Sequence, residues 1–490
     1  MPSVGRGRKP RGFLPRSSTI IGVVLLLVLP VQAIPEFTSG APGAPVLSQA
    51  QSFATKINHI IIVMMENHAY DNYFGTYCQN LTKFCSMTGN GLPTGTCVPY
   101  DPSNLSLGCI TPFPLTRQNW TITAPMPHSS NSSIFSWNNG SMNDFYLGEK
   151  SSNYPFGYYN KFTAPILWDL AEQYGLGDNF FSSTLSYSLP NHWHLVAGQA
   201  PPAIQSNLIG ASKSYRLANR TVYLSQANAT TSVEERLLNT SVSWNWYDHS
   251  IGTNYSAAIG NTTPGGSGGW AYAYYNPLAA KAKNYNATLS AHFLNNSRFF
   301  KDARKGTLPD VSWVVPPAAD SDHPPSASNV AQGWVSSVVD AVESSPDWNT
   351  SAVFISWDEY GGFYDHVAPP LARGTNLTLG FRVPLLVISP YARENYIGHS
   401  LGYFESLLRT VENRFSLPCI TAMDCNAPTL YQFFNFSQSP RAPMIFPTSD
   451  ANAGYPIPLQ PPGAVAGPMP PFYPPVQYTY FPNGEGPDVD

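Results

Sequence analysis

Three short apolar runs that do not alternate constrain this chain most: His59 to Met65, Ala352 to Trp357 and Val383 to Ser389. A strand with one wet face alternates apolar and polar side chains. A strand covered on both faces is apolar throughout, the pattern of a largely parallel sheet flanked by helices. Helical periodicity accompanies the runs. Residues 329–344 carry a stripe of Val330, Val335, Val338, Val339 and Val342, and residues 401–415 carry Leu407, Leu408, Val411 and Phe415. Together they predict an α/β fold, a three-layer α/β/α sandwich around a largely parallel sheet. With 43% of 490 residues apolar, a sizeable core is available and wholesale disorder is excluded. Residues 200–290, rich in Ser, Thr, Asn, Tyr and Gly and without a clear period, read as an insertion or cap. Residues 437–490 contain 14 prolines and read as an extended tail.

Only 11% of the residues are charged, against roughly 25% in an average soluble protein. Five of the 26 basic residues precede position 34 and no acidic one does, so the remainder has 21 basic and 30 acidic residues, a net of −9. Such a surface does not suit nucleic acid. Residues 1–33 have the layout of a signal peptide: a basic stretch, the apolar run Ile20 to Leu29, and a small residue at Ala33, followed by a linker over 34–55. An uncleaved N-terminal anchor is the alternative. Fifteen Asn-x-Ser/Thr sequons fit an exported glycoprotein, secreted or at the cell surface. The cysteines form two local groups, Cys78, Cys85, Cys97 and Cys109, then Cys419 and Cys425. An even count in local clusters, with no CxxC pair, predicts disulfides within each group rather than zinc.

Chemistry collects where apolar runs end. The first finishes at Glu66-Asn67-His68, and the second leads into Asp358-Glu359 and, after Gly361-Gly362, Asp365-His366. Ligands of open α/β sheets lie beyond the carboxyl ends of strands, so the two clusters are expected to share a cleft. Two carboxylates, a carboxamide oxygen and a further carboxylate suit one hard divalent cation. The same residues also fit ordinary strand-end capping. A third cluster, Ser186 to His194, sets a hydroxyl at Ser188 just before a Pro190-Asn191 turn with His192 and His194 following. A metal-coordinated hydroxyl becomes a nucleophile without a dedicated base, although a plain Ser-rich loop reads similarly.

Taken in order, these segments resemble a known family. Ile60 to Gly75 (IIIVMMENHAYDNYFG), Ser188 to His192 (SLPNH), Gly306 to Trp313 (GTLPDVSW), Asp322-His323-Pro324, Asp347-Trp348, Ser356 to Val367 (SWDEYGGFYDHV), Phe381 to Ala392 (FRVPLLVISPYA) and Ser406 to Glu412 (SLLRTVE) are collinear over residues 56–436. The set is similar to the phosphoesterase family that contains bacterial phosphatidylcholine-type phospholipases C and related acid phosphatases.

The resemblance implies an alkaline-phosphatase-like core and one divalent metal ion held by Glu66, Asn67, Asp358 and Glu359. It also implies a phospho-enzyme intermediate on Ser188, with His323 and, more loosely, His128 as the histidines that serve the phosphoryl group or its leaving group. Asn191, His192, Asp365 and His366 stand as substrate-side candidates. His68 and His192 occupy places where members often carry Arg or Ser, and Tyr274-Tyr275 stands where many acid phosphatases have a histidine pair. The expected activity is hydrolysis of phosphate esters in the manner of an acid phosphatase. A phospholipase C acting on head groups, with peripheral membrane contact, is the second reading, and a non-catalytic surface glycoprotein the third. His59 and His399 are expected to be structural, and His249 to lie near the cleft.

Overall fold

A computed structural model describes residues 47–80, 90–116, 126–150, 152–202, 204, 220–248, 277–278, 287–324, 326–445 and 465–466. The segments read as signal peptide and most of the proline-rich tail, with Cys85, His249 and Tyr274-Tyr275, lie outside the described residues. So does the linker up to residue 46. Its last part is helical: α1 spans Gln49–Lys56, capped by the Ser48 hydroxyl and the returning Gln51 side chain.

Eight strands form the central sheet: β1 (His59–Met65), β2 (Gly175–Gly177), β3 (Trp244–Asp248), β4 (Phe293–Leu294), β5 (Val311–Val315), β6 (Ser351–Trp357), β7 (Leu385–Ile388) and β8 (Tyr396–Gly398), in the spatial order β8-β2-β7-β6-β1-β5-β3-β4. β1 lies at the centre, parallel to β6 on one side and β5 on the other. Its side chains from Ile60 to Met65 are buried because both faces are covered, as their unalternating pattern requires. The α/β class and the mostly parallel sheet agree with the sequence.

β7 is the exception, running antiparallel to both β6 and β2. A parallel return needs a crossover, usually helical, and residues 358–384 contain no helix. An apolar run reports burial on both faces and is silent on direction. The window read as insertion also supplies a core strand, since Trp244, Trp246 and Tyr247 of β3 are buried in the sheet beside β5.

Helices α2 (Pro165–Gln173), α4 (Asn296–Lys305) and α5 (Ser328–Glu343) pack as one group, and α3 (Ser188–Ala197), α6 (Phe404–Arg414) and α1 as another. α5 follows the valine stripe, with Val335, Val338, Val339 and Val342 fully buried. α6 begins at Phe404 rather than 401, because Gly402 and Tyr403 pair with Phe180 and Phe181 as a short parallel ribbon. Disulfides join Cys97 to Cys109 and Cys419 to Cys425, and Cys78 is also disulfide-bonded. No helix among the described residues is long and apolar enough to cross a membrane.

Candidate active site

Strand register builds the first half of the site. Met65 stands opposite Trp357, and the Asp358 N–H donates to the Met65 carbonyl at 3.0 Å, so the residues that follow each strand emerge side by side. Asn67 turns there with φ 58°, a left-handed conformation that Asn tolerates better than most residues. Its N–H donates to Asp358 Oδ1 at 2.9 Å. Gly361, with φ 62°, closes the turn against it: a Cβ at Gly361 would lie 2.0 Å from the Asn67 carbonyl oxygen, so the backbone approach admits only glycine.

α3 supplies the other half. Ser188 is its first residue and His192 lies one turn on, on the same face. Ser188 Oγ donates to Glu66 Oε2 at 3.2 Å, and His192 Nε2 lies 3.2 Å from Glu66 Oε1 and 3.8 Å from Asp358 Oδ2. Ligand atoms of Glu66, His192 and Asp358 all fall within 4.8 Å of one another, in a fully buried setting. Asn67 Oδ1 and Asp358 Oδ2 have no hydrogen-bond partner among the described residues. Buried oxygens left unsatisfied beside two carboxylates are costly unless a cation completes them. Oxygen ligands with one imidazole fit a divalent metal ion.

The structure thus brings Glu66, Asn67, Asp358, Ser188 and His192 together. His192, read as substrate-side, instead joins the carboxylates; its spacing of four from Ser188 on a helix is the signal that would have placed it. Glu359 is not one of the three grouped residues. Its Oε2 accepts the Gly361 N–H at 2.9 Å and so shapes the turn.

Asn191 also departs from its expected part. Its Oδ1 accepts the N–H groups of Ser183 and Thr184, both at 3.1 Å, and its Nδ2 donates to the carbonyls of Thr184, Ser186 and Tyr187 at 3.2–3.3 Å. A carboxamide so engaged clamps the loop before Ser188 rather than meeting a substrate. Asp365 and His366 belong to another buried network. Arg382 bonds Asp365 Oδ1 and Asp71 Oδ1, both at 2.9 Å, and His366 Nδ1 lies 2.6 Å from Asp71 Oδ2. Burial opposes charge on His366, but the hydrogen bond and charge of Asp71, with Asp365, outweigh it and raise its pKa.

Two histidines approach Asn67 from the other side. His128 Nδ1 lies 2.6 Å from the Met126 carbonyl and so carries the proton. Its Nε2 then accepts from Asn67 Nδ2 at 3.1 Å, which turns Asn67 Oδ1 the other way. His128 therefore orients the Asn67 side chain and has no proton on Nε2 to give a leaving group in this arrangement. His323 stands 5.5 Å away, ring to ring. Its Nδ1 donates to the Pro324 carbonyl at 2.6 Å, leaving Nε2 without a partner among the described residues. Burial first, and then the neighbouring His128, push its pKa down to about 3, so it is neutral rather than near the ordinary histidine value.

Sequence reasoning did not foresee the supports. Glu405 on α6 accepts from Ser183 Oγ at 2.7 Å and pairs with His194 Nδ1 at 2.6 Å, fixing α3. Asp322, at φ 79°, accepts from Tyr73 Oη at 2.6 Å and Trp357 Nε1 at 2.9 Å and so holds His323 in place. His59 and His399 are structural, bonded to the Pro309 carbonyl at 3.0 Å and to Asp178 at 2.7 Å.

A sequence profile of the phosphoesterase family matches residues 57–418, most of the chain and every residue of this cluster. The chain belongs to the phosphoesterase family. It is 28% identical over 400 residues to a non-hemolytic phospholipase C of Burkholderia pseudomallei, an alignment covering 74% of this chain but 55% of that protein. It is also 28% identical over 440 residues to phospholipase C B of Mycobacterium tuberculosis, covering 79% of each, and 32% identical over 176 residues to non-specific phospholipase C1 of Arabidopsis thaliana, covering 29% of this chain and 33% of that one. The chain thus spans little more than half the length of the Burkholderia relative. Among solved structures, an alkaline phosphatase superfamily protein from Vibrio parahaemolyticus aligns over 76% of this chain and 70% of its own, with 11% identity and a TM-score of 0.33, a likeness too slight to bear on function. Phosphoesterase membership makes the chain a phosphoric ester hydrolase.

Proposed function

We propose that this phosphoesterase is a metal-assisted phospholipase C that cleaves the phosphodiester of a phospholipid head group through Ser188. The observation that carries the reading is Ser188 Oγ, buried and 3.2 Å from Glu66, beside the unsatisfied oxygens of Asn67 and Asp358. The relatives' names favour a phospholipid over the monoester of an acid phosphatase. Glu66, Asn67, Asp358 and His192 would hold one divalent ion, which supplies Lewis-acid stabilisation of phosphoryl charge and acidifies a nearby hydroxyl.

The chain's own groups do the rest. The hydrogen bond to Glu66 fixes the Ser188 rotamer and draws on its proton, and Oγ attacks phosphorus in line while the bond to the leaving alkoxide breaks. Ser188 opens α3, so the positive end of that helix lies at the developing negative charge. His323 Nε2 is a bare acceptor in the resting site. An anionic phosphoryl group beside it favours uptake of a solvent proton at Nε2, which then passes to the departing oxygen, while Glu66 holds the Ser188 proton. Water then attacks the phosphoserine, the bond from phosphorus to Ser188 Oγ breaks, Glu66 returns the proton to Oγ and His323 takes the proton of the water. Disulfides and the N-terminal sequence pattern support export to an oxidising compartment.

The test uses metal-loaded protein with p-nitrophenyl phosphorylcholine and p-nitrophenyl phosphate. The diester should be the better substrate. Ser188→Ala should lower kcat by roughly three orders of magnitude or more with thermal stability and bound metal unchanged. Near-normal turnover by Ser188→Ala would refute the covalent route, and preference for the monoester would restore the acid-phosphatase reading.

A further inference from the structure

Eight large apolar side chains stand exposed among the described residues, and six of them fall between 105 and 162. That segment lies on the carboxyl side of the sheet, since its His128 bonds Asn67 and its Ser130 Oγ lies 2.9 Å from Ser186 Oγ, two residues before the nucleophile. It has an apolar cluster of its own, distinct from the main core. Val98, Ile110, Phe145 and Phe156 pack there with Tyr360 and Phe363, which lie in the turn after Asp358-Glu359. Tyr360 Oη donates to the buried Glu149 at 3.0 Å, and Phe145 and Phe156 both meet the Tyr364 ring, at 5.0 and 5.6 Å. The unit is therefore fastened to the metal-side turn.

Its outer side is unlike the rest of the surface. Leu105 (71% exposed) and Leu107 project from a turn whose hairpin is closed by the Cys97–Cys109 disulfide. Tyr100 of that hairpin packs on Tyr146 at 4.8 Å, next to exposed Leu147. Phe135 (61% exposed) belongs to the neighbouring helix, packed so closely that a Cβ on Gly148 would meet the Phe135 Cβ at 3.4 Å. Residues 90–164 contain twelve aromatic residues but only six charged ones: Asp101, Arg117, Asp144, Glu149, Lys150 and Lys161, three of each sign.

We infer that this disulfide-braced unit, with Leu105, Leu107, Phe135, Leu147 and Tyr154 outermost, is the surface by which the enzyme seats itself on an aggregated zwitterionic phospholipid. Apolar and aromatic groups enter the boundary between head groups and acyl chains. A balanced, sparse charge set matches head groups that carry both signs and gives no preference for an anionic bilayer. Continuity with the strand-end turn brings the cleft to the interface. The inference rests on the phospholipase reading and names where its substrate is met.

Flotation of the full-length, metal-loaded protein with phosphatidylcholine vesicles tests it, alongside hydrolysis of soluble p-nitrophenyl phosphorylcholine. The pair Phe135→Ser and Leu147→Ser should weaken vesicle partitioning by roughly tenfold or more, because exposed apolar side chains lose their transfer into lipid. Turnover of the soluble ester should stay within about twofold of wild type. Leu105→Ser with Leu107→Ser, on the separate hairpin, should act the same way, so one misfolded variant does not decide the matter. Unchanged partitioning in both pairs overturns the inference, and so does a change of oligomeric state with partitioning intact, which would assign the patch to a second copy of the chain. Wild type that hydrolyses the soluble ester but does not float sinks the surface and leaves the Ser188 reading standing. Wild type that floats but is inert toward the ester does the reverse.

Discussion

Replacing Asn191 separates positioning from substrate contact. In Asn191→Ala the N–H groups of Ser183 and Thr184 lose their acceptor, and three carbonyls before Ser188 lose a shared donor. The site is closed to water, with Ser183, Thr184 and Asn191 all fully buried. Each buried donor left unmade costs about 1–3 kcal/mol, so two donors cost about 2–6 kcal/mol before any relaxation of the loop. At roughly 2 °C per kcal/mol for a chain of this size, the thermal midpoint should fall by roughly 4–12 °C. kcat should fall too, because the loop sets where Ser188 points, while KM for p-nitrophenyl phosphorylcholine moves little. Differential scanning calorimetry and steady-state kinetics on the same preparation read both. If Asn191 were a substrate ligand, KM would rise and the midpoint would stay put. That result would refute the clamp.

Metal content should divide the three acidic residues of the two strand-end motifs. Glu66→Gln and Asp358→Asn should each strip the bound divalent ion and the activity together, whereas Glu359→Gln should keep the ion, because its carboxylate serves the Gly361 turn; elemental mass spectrometry decides, and stoichiometric metal in Asp358→Asn would sink the assignment. Stability should also carry a pH signature from Glu412, whose pKa is pushed up to about 9 by burial first and then by Asp424. The folded state keeps that proton where the unfolded chain, with the ordinary value of about 4.5, has lost it, so this contribution is complete below about pH 4.5 and is lost as pH rises toward 9. Glu412→Gln should therefore gain in melting temperature relative to wild type between about pH 5 and pH 8, and a pH-independent difference would show that the carboxyl ionises freely in the fold.

The parts of this protein that were legible in its sequence are those fixed by burial and register. The run from Ile60 to Met65 announces a strand covered on both faces, and Glu66-Asn67 and Asp358 could be set across a cleft because parallel neighbouring strands deliver their ends together. Direction was not legible for Leu385 to Ile388, since burial on both faces is the same whichever way a strand runs. The short strand Gly175–Gly177 escaped notice because two of its three residues are glycines, admitted where a Cβ on Gly175 would meet the Phe433 ring at 2.7 Å. Side-chain assignments were not legible where a polar group had two chemically equivalent uses. Asn191 and His128 have the atoms to touch substrate, metal or leaving group, and only three-dimensional neighbours show those atoms engaged by backbone or by another side chain.

The site is consequently held in two different ways. Glu66 and Asp358 are set by backbone pairing between the two central strands, so only loss of the sheet itself would separate them. Ser188 and His323 have no such guarantee, because Ser188 opens α3 and His323 sits in a connecting segment, and each depends on individual buried side chains. For Ser188 these are Asn191 and the Ser183–Glu405–His194 chain, and for His323 they are Asp322 with Tyr73 and Trp357. Removing one member of such a buried chain leaves its partners unpaired. Point changes remote from phosphorus, at Glu405 or Tyr73, should therefore impair the nucleophile or the histidine while leaving the carboxylate pair able to bind its ion.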